Sequence, residues 1–235
     1  MELALYVDKF KVRAILENNN CQAYLNDLFL VIEDSLQIDF NILPEYFIVK
    51  ANHGSGMIKI VKDKSKTNSA EIKELTHKWL NTRYNESVGG TEFHYDAIKP
   101  KIIFEKKMKN KDGSPLLDYI FNCFHGRVEF IDIIDSSKGI PLTYIFDKNW
   151  NQLPFALLNK YIKGCLQKPA QLKEMVRIAE KLSAEFDYLR IDLYLINDVK
   201  ILLGEYTFFP GGGMVKFNLA EYDKIYGKKL KLNNA

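Results

Sequence analysis

The 235-residue sequence contains few cysteines, no long apolar run and no block of like charge. Its three cysteines, Cys21, Cys123 and Cys165, fit no zinc-site spacing, and their odd number favours a reducing compartment. Charged residues interrupt the first apolar run, so neither a signal peptide nor a membrane span is predicted. The net charge of +3 is too small and too dispersed to indicate a nucleic-acid partner. We therefore expect a cytoplasmic protein.

The composition is that of an ordinary globular protein, with 47% hydrophobic and 27% charged residues. The sequence has no repeats and no low-complexity segments, so fibrous and disordered classes are excluded. Short strand-like runs alternate irregularly with segments of helical periodicity, which predicts an α+β fold rather than a doubly wound one. The helical patterns cover about residues 8–17, 23–32, 69–84 and 168–186.

The segment 189–213 carries the most chemically informative pattern. Two apolar, β-branched runs flank Asn197-Asp198, whose side chains tolerate the positive φ of a tight turn, so a β-hairpin is predicted. If the turn has two or four residues, Arg190 opposes Glu205. Because side chains alternate between the two faces of a sheet, four polar side chains then lie on one face, namely Arg190, Asp192, Glu205 and Thr207. Such a face suits a divalent metal and phosphate, and equally an exposed, salt-bridged hairpin.

A second polar motif follows the apolar run that ends at Lys50. The residues His53-Gly54-Ser55-Gly56 join this predicted strand to the next, unlike a P-loop, which opens a helix and has its lysine after the glycines. Backbone amides of such small residues can fold over a phosphate while Lys50 neutralises its charge. A Gly-Ser-Gly turn is also common in plain hairpins.

Taken together and in order, these motifs resemble those of the ATP-grasp superfamily. The likeness covers nearly the whole chain and is greatest to the TupA-like branch, named for teichuronopeptide biosynthesis. Four separated elements carry it: Lys50 with the loop 53–56, Glu105-Lys106-Lys107-Met108, Arg190-Ile191-Asp192, and Glu205-Tyr206-Thr207 leading to Pro210-Gly211.

The resemblance implies two α+β subdomains whose antiparallel sheets grip ATP, preceded by a short helical lead-in. The expected divisions are a lead-in at 1–43, a small subdomain with the phosphate loop at 44–104, and a large subdomain with hinge and metal site at 105–235. By the same resemblance, Lys50 binds the α- and β-phosphates. The implied ATP-binding residues are Lys50, His53, Gly54, Ser55, Gly56, the hinge residues Glu105, Lys106, Lys107 and Met108, and, as a weaker match, Asp112 at the ribose.

The resemblance also implies a magnesium site and an acceptor loop. Asp192 and Glu205 match the Mg²⁺ ligands, and Thr207 stands where many relatives have an asparagine ligand. Arg190 matches the arginine that stabilises the transferring phosphoryl group, so Arg190 and Lys50 are the expected catalytic residues. The acceptor loop comprises Pro210, Gly211, Gly212 and Gly213. One departure is Ile120, because the branch pattern has a lysine after Asp118-Tyr119.

The implied reaction joins a carboxylate to an amine through an acyl phosphate, with ATP and Mg²⁺. For this branch the carboxylate is a uronic acid of a cell-surface polysaccharide or its precursor, and the amine is an amino acid or peptide. Only about forty residues precede the strand to Lys50, so the acceptor site has to come from the grasp fold, a homo-oligomer partner or a large substrate. A sugar or polyol kinase and a non-catalytic nucleotide-binding module are the alternatives.

Overall fold

The computed structural model describes residues 3–88, 90, 92–137, 139, 141–157, 164 and 166–232, so Cys165 lies outside the described residues. The chain forms two compact units, Met1–Met108 and Lys109–Ala235. Each unit contains one antiparallel sheet together with helices, which confirms the predicted α+β class. The three-part division at residues 43 and 104 stays a prediction.

The first unit contains short amino-terminal helices and a four-stranded sheet. Its helices and strands are α1 (Leu3–Val7), α2 (Val12–Asn18), β1 (Leu28–Ile32), β2 (Phe47–Ala51), β3 (Ile58–Val61), α3 (Ser69–Leu80), α4 (Tyr84–Val88) and β4 (Ile102–Lys106). The strand order is β1-β4-β2-β3, and neighbouring strands are antiparallel. The described helices of the chain are all too short or too polar to cross a lipid bilayer.

The helix predicted over residues 23–32 is wrong. A single 3-10 turn, Gln22–Tyr24, is followed by β1, which pairs with β4 from Leu28 to Ile32. The run Leu-Phe-Leu-Val-Ile is short and continuously apolar, so its periodicity does not separate helix from strand. Pairing with β4 satisfies its backbone groups and decides the outcome.

The core of the first unit lies between its sheet and α3. Asn68 caps this helix by accepting a hydrogen bond from the backbone N–H of Ala70 at 2.9 Å, so the helix begins at Ser69 as predicted. Ile72 and Trp79 of α3 pack with the buried faces of β2 and β4, including Phe47 and Phe104. This packing fixes the paired strands β2 and β4 against α3.

The second unit is built on a five-stranded sheet. Its helices and strands are β5 (Asp118–Phe124), β6 (Arg127–Asp135), β7 (Leu142–Phe146), α5 (Leu172–Ser183), β8 (Tyr188–Ile196), β9 (Lys200–Thr207) and α6 (Ala220–Lys229). The strand order is β7-β6-β5-β8-β9, and neighbouring strands are antiparallel. The predicted helix at 168–186 is shorter than expected, because Lys168-Pro169 precedes its first turn. Its apolar stripe is buried as predicted at Leu172, Met175, Ala179 and Leu182.

The β8–β9 hairpin turns at Asn197 and Asp198, which have φ values of 53° and 54° as their residue types predicted. The predicted register is wrong: Asp192 opposes Glu205, and Arg190 opposes Thr207. Ile196 pairs with Lys200, so the loop has three residues and the register differs from the predicted one by one residue. A bulge after Asp192 moves the register by one more residue. Two one-residue shifts restore the parity, so the four polar residues still share one face.

Candidate functional site

Arg190 holds the two carboxylates of the hairpin face together. Its Nε and Nη2 atoms donate to Oδ1 and Oδ2 of Asp192 at 2.9 and 2.8 Å, and Nη2 also donates to Oε1 of Glu205 at 3.1 Å. The three side chains are 14–31% exposed, so water screens them only partly. The sheet register brings the carboxylates side by side, and the guanidinium offsets their mutual repulsion.

Burial and charge act on this cluster in opposite directions. Burial raises the pKa of Asp192, and the Arg190 guanidinium opposes that shift. Burial alone would lower the pKa of Arg190, but Asp192 and Glu205 raise it above its ordinary value. Arg190 is therefore a cation at neutral pH.

The donor set of the cluster suits Mg²⁺ better than a softer metal. Asp192 and Glu205 offer carboxylate oxygens, and Thr207 adds a buried hydroxyl on the same face. Mg²⁺ prefers oxygen ligands and is usually bound by one or two carboxylates together with substrate phosphates. Within the part of the chain that the structure describes, no three His, Cys, Asp or Glu side chains converge on one point.

Lys50, near the end of β2, pairs with Glu105 of β4. Its Nζ atom lies 3.0 Å from Oε2 of Glu105, and Nη1 of Arg13 lies 3.7 Å from the other oxygen. Glu105 is buried, so its charge is balanced by these two cations rather than by water. A phosphate bound at Lys50 would have to share this cation with Glu105.

The loop after β2 is anchored at one end and exposed at the other. The His53 side chain is buried, and its Nε2 atom lies 3.1 Å from the carbonyl oxygens of both Trp79 and Thr82, so this nitrogen donates. Burial lowers the pKa of His53, which favours the neutral ring. Ser55 and Gly56 are exposed. A ligand above this loop would therefore meet backbone and Ser55 rather than the His53 ring.

The predicted hinge, residues 105–108, begins within the last two residues of β4. The carbonyl oxygen of Lys106 accepts a hydrogen bond from Nδ2 of Asn26 at 2.8 Å, so this hinge carbonyl already has a partner within the protein. The Asp112 carboxylate accepts from the backbone N–H and the hydroxyl of Ser114 at 2.9 and 2.7 Å, and these bonds lower its pKa. Asp112 thus closes its own turn in this structure, and its role at a ribose stays a prediction.

The triglycine loop has a backbone conformation that favours glycine. Gly211, Gly212 and Gly213 have φ values of 55°, 65° and 78°, in the left-handed region that side chains disfavour. A Cβ atom on Gly211 would also lie 2.8 Å from Val215. The loop presents bare backbone beside a cavity of about 360 Å³ in the second unit, whose lining includes Pro210, Gly213 and Arg190.

The sequence interpretation missed Asp132 on β6. This carboxylate lines the same cavity, is only 6% exposed and accepts a hydrogen bond from Nδ2 of Asn122 at 3.3 Å. Burial raises its pKa to about 7. The available signal was a single acidic residue inside the apolar run Phe130-Ile131-Asp132-Ile133-Ile134.

Comparisons with known proteins give a family and a fold. A family model described as TupA-like ATPgrasp matches residues 1–231. The structure of D-alanine–D-alanine ligase from Bacillus anthracis complexed with ATP matches with 17% identity and a TM-score of 0.55, over 96% of this chain and 63% of that protein. N5-carboxyaminoimidazole synthetase from Staphylococcus aureus complexed with ADP matches with 13% identity and a TM-score of 0.50, over 86% and 44%. At these identities the likeness shows the fold alone. Curated proteins give no significant match.

Proposed function

This chain belongs to the TupA-like ATPgrasp family of the ATP-grasp superfamily, and we propose that it is an ATP-dependent carboxylate–amine ligase that forms an amide bond. The observation that carries the proposal is the Arg190 cluster, in which one guanidinium holds Asp192 and Glu205 side by side. A buried charge cluster on a structural hairpin gains little stability, whereas a phosphoryl-transfer site needs these groups.

In the proposed reaction, a substrate carboxylate oxygen attacks the γ-phosphorus of ATP. The bond to the β–γ bridging oxygen breaks, and ADP leaves with its electron pair. The amine nitrogen then attacks the acyl carbon, phosphate leaves, and the nitrogen loses a proton. Arg190 stabilises the negative charge of the transferring group and of the tetrahedral intermediate, and Lys50 binds the α- and β-phosphates of ATP.

Asp192 and Glu205 would hold Mg²⁺, and Thr207 is the proposed third ligand. When bound, the ion neutralises the phosphate oxygens of ATP. The other assignments are proposals of the same kind: the loop 53–56 over the phosphates, the hinge 105–108 at adenine, Asp112 at the ribose, and the loop 210–213 at the acceptor. For the loop 53–56, the buried ring of His53 limits the contact to backbone groups and Ser55.

The proposed carboxylate is a uronic acid of a cell-surface polysaccharide or its precursor. The family branch supports this substrate class, and the bare backbone amides of the triglycine loop suit carboxylate or sugar oxygens. The amine is proposed to be an amino acid or peptide. The chain spans only part of the length of the ligases that it resembles, so this assignment depends on the test below.

The test replaces the amine with hydroxylamine. Purified protein is incubated with ATP, Mg²⁺ and a panel of uronic acids, and hydroxamate and ADP are measured together. A carboxylate substrate yields an acyl phosphate that hydroxylamine captures, so hydroxamate should accumulate in step with ADP. A phosphorylated sugar that survives hydroxylamine, with no hydroxamate, would reject the ligase and favour a kinase. Nucleotide binding without any ADP formation across the panel would favour a binding module.

A further inference from the structure

The cavity beside the triglycine loop has a largely apolar wall that is interrupted by several polar side chains. The aromatic side chains that line it include Phe124, Phe130, Tyr188, Phe217 and Tyr226. These rings pack on one another, with 5.2 Å between the centroids of Phe124 and Tyr188 and 4.7 Å between those of Phe130 and Tyr226. The packed rings offer a compact, largely apolar ligand an aromatic surface on one side of the cavity.

Asp132 is the polar group of this cavity whose bonding is incomplete. Its Oδ1 atom is fully buried and has no hydrogen-bond partner among the described residues. Its orientation is nonetheless fixed: the Tyr188 hydroxyl donates to Oδ1 of Asn122 at 2.8 Å, and Nδ2 of Asn122 donates to Oδ2 of Asp132 at 3.3 Å. A buried carboxylate with an unused acceptor is costly unless a ligand supplies a donor.

The sheet register relates Asp132 to the proposed phosphoryl-transfer cluster. Asp132 on β6 and Asp192 on β8 both oppose Ile120 of the central strand β5. Two strand spacings separate the carboxylates by roughly 10 Å on one sheet face. Arg190 lines the cavity as well, so the cavity adjoins the place where the acyl phosphate is proposed to form.

Charge decides which kind of ligand fits. Arg190 pairs with Asp192 and Glu205 and is assigned above to the transferring phosphoryl group, so it leaves no positive charge for a second anion in the cavity. The carboxylates of Asp132 and Asp223 and the faces of the aromatic rings favour a cation. A ligand that is cationic at one end and apolar along its body satisfies both the carboxylate and the wall.

We propose that this cavity binds the amine substrate, that the ammonium group of the amine pairs with Asp132, and that its apolar body lies against the aromatic wall. The inference rests on the proposed ligase function and narrows its amine to one whose body next to the ammonium group is apolar. Asp132 is thereby a specificity residue for the amine rather than a member of the metal site.

Calorimetric titration of the full chain with benzylamine tests the inference without turnover. Asp132→Asn should lower the affinity for benzylamine by roughly tenfold or more, because a charge-assisted hydrogen bond is lost. The affinity for benzyl alcohol should change by no more than about twofold. The matched control is Asp135→Asn on the same strand, which lies outside the cavity lining and should bind like the wild type. Glucosamine, an amine with a polar body, should bind more weakly than benzylamine.

Equal affinity of benzylamine for the wild type and Asp132→Asn, tighter binding of glucosamine, or no binding of benzylamine at all would overturn the inference. If Asp132→Asn fails to fold, Gly227→Leu replaces it, since a Cβ there meets no atom within 4 Å and a larger side chain projects into open space at the lining. That variant should lower the affinity for both benzylamine and benzyl alcohol, and unchanged affinities would count against the site. Hydroxamate formation by the wild type is scored separately, so a failed amine site and a failed ligase assignment give different results.

Discussion

The residue that organises the candidate site is Arg190, because it makes two neighbouring carboxylates tolerable on one face. An isolated pair such as Asp192 and Glu205 would repel at the distance that opposed strand positions impose. The guanidinium is bidentate to Asp192 and reaches Glu205 with the same Nη2 atom. The arrangement is compatible with the proposed Mg²⁺ site, in which ATP would supply phosphate ligands.

The first prediction concerns these carboxylates. Asp192→Asn and Glu205→Gln should each lower ADP formation by roughly 100-fold or more, because a lost metal ligand removes several kcal/mol of transition-state stabilisation. Circular dichroism should show a retained fold. Glu185→Gln, at an exposed carboxylate of the same unit, is the control and should retain activity. Near wild-type turnover of either site variant at saturating Mg²⁺ would show that the pair only balances Arg190.

The second prediction concerns Lys50 in the first unit. Lys50→Ala should lower the affinity for ATP more than the affinity for adenosine, since only ATP carries the phosphate charge that Lys50 is proposed to neutralise. Lys59→Ala is the matched control, because Lys59 is an exposed lysine on the neighbouring strand β3. Isothermal titration with both ligands measures the difference. Equal weakening of ATP and adenosine would indicate that Lys50 serves mainly to neutralise the buried Glu105.

At the scale of elements, the bulge in the β8–β9 hairpin sets which residues oppose one another. Gly204 lies at this irregularity, and a Cβ atom there would be 2.9 Å from the Tyr194 ring and 3.2 Å from the Asp192 carbonyl oxygen. Only glycine allows the two strands to approach this closely. The bulge therefore connects a backbone requirement to the position of the carboxylates.

The third prediction follows from this close approach. Gly204→Ala should destabilise the protein by about 1–3 kcal/mol, as overpacking typically does, and should also reduce ADP formation because the bulge shifts. Urea denaturation gives the stability change. Gly227→Ala in α6 is the control: its Cβ has open space, and a helix gains about 0.5–1 kcal/mol from this replacement. A Gly204→Ala protein as stable and active as the wild type would mean that the bulge tolerates a side chain.

For the whole molecule, buried cysteines report on the two units separately. Cys21 in the first unit is 1% exposed and Cys123 in the second is 0% exposed. Burial raises the pKa of Cys123 to about 12, so this thiol is almost entirely protonated at neutral pH. Each thiol becomes reactive only when the structure around it opens.

The fourth prediction uses this protection in a Cys165→Ser variant. Cys21 and Cys123 should resist a thiol reagent in native buffer and react within seconds in denaturant. Mass spectrometry of peptides labelled at intermediate urea concentrations then gives an unfolding midpoint for each unit. Rapid labelling of Cys123 in native buffer would contradict the buried environment described for β5.

The sequence alone determined the fold class, the family motifs and the face of the hairpin. Each depends on local chemistry or on the alternation of side chains along a strand. The left-handed turn at Asn197-Asp198 follows from residue type. Arg190, Asp192 and Glu205 share a face because the two register shifts of the hairpin sum to an even number. The family match over residues 1–231 confirmed the family resemblance.

Only the tertiary structure decided the features that depend on distant partners. The run Leu28–Ile32 is a strand because β4 offers it backbone hydrogen bonds, which no local pattern reveals. The pairing of Lys50 with Glu105 joins residues far apart in the chain. Asp132 lies in the chain as one acid among apolar neighbours, and its importance emerges only when β5, β6 and β8 place it in an apolar cavity beside Arg190. Pairing, register and burial are long-range properties, and they determine which of the polar residues in a sequence meet.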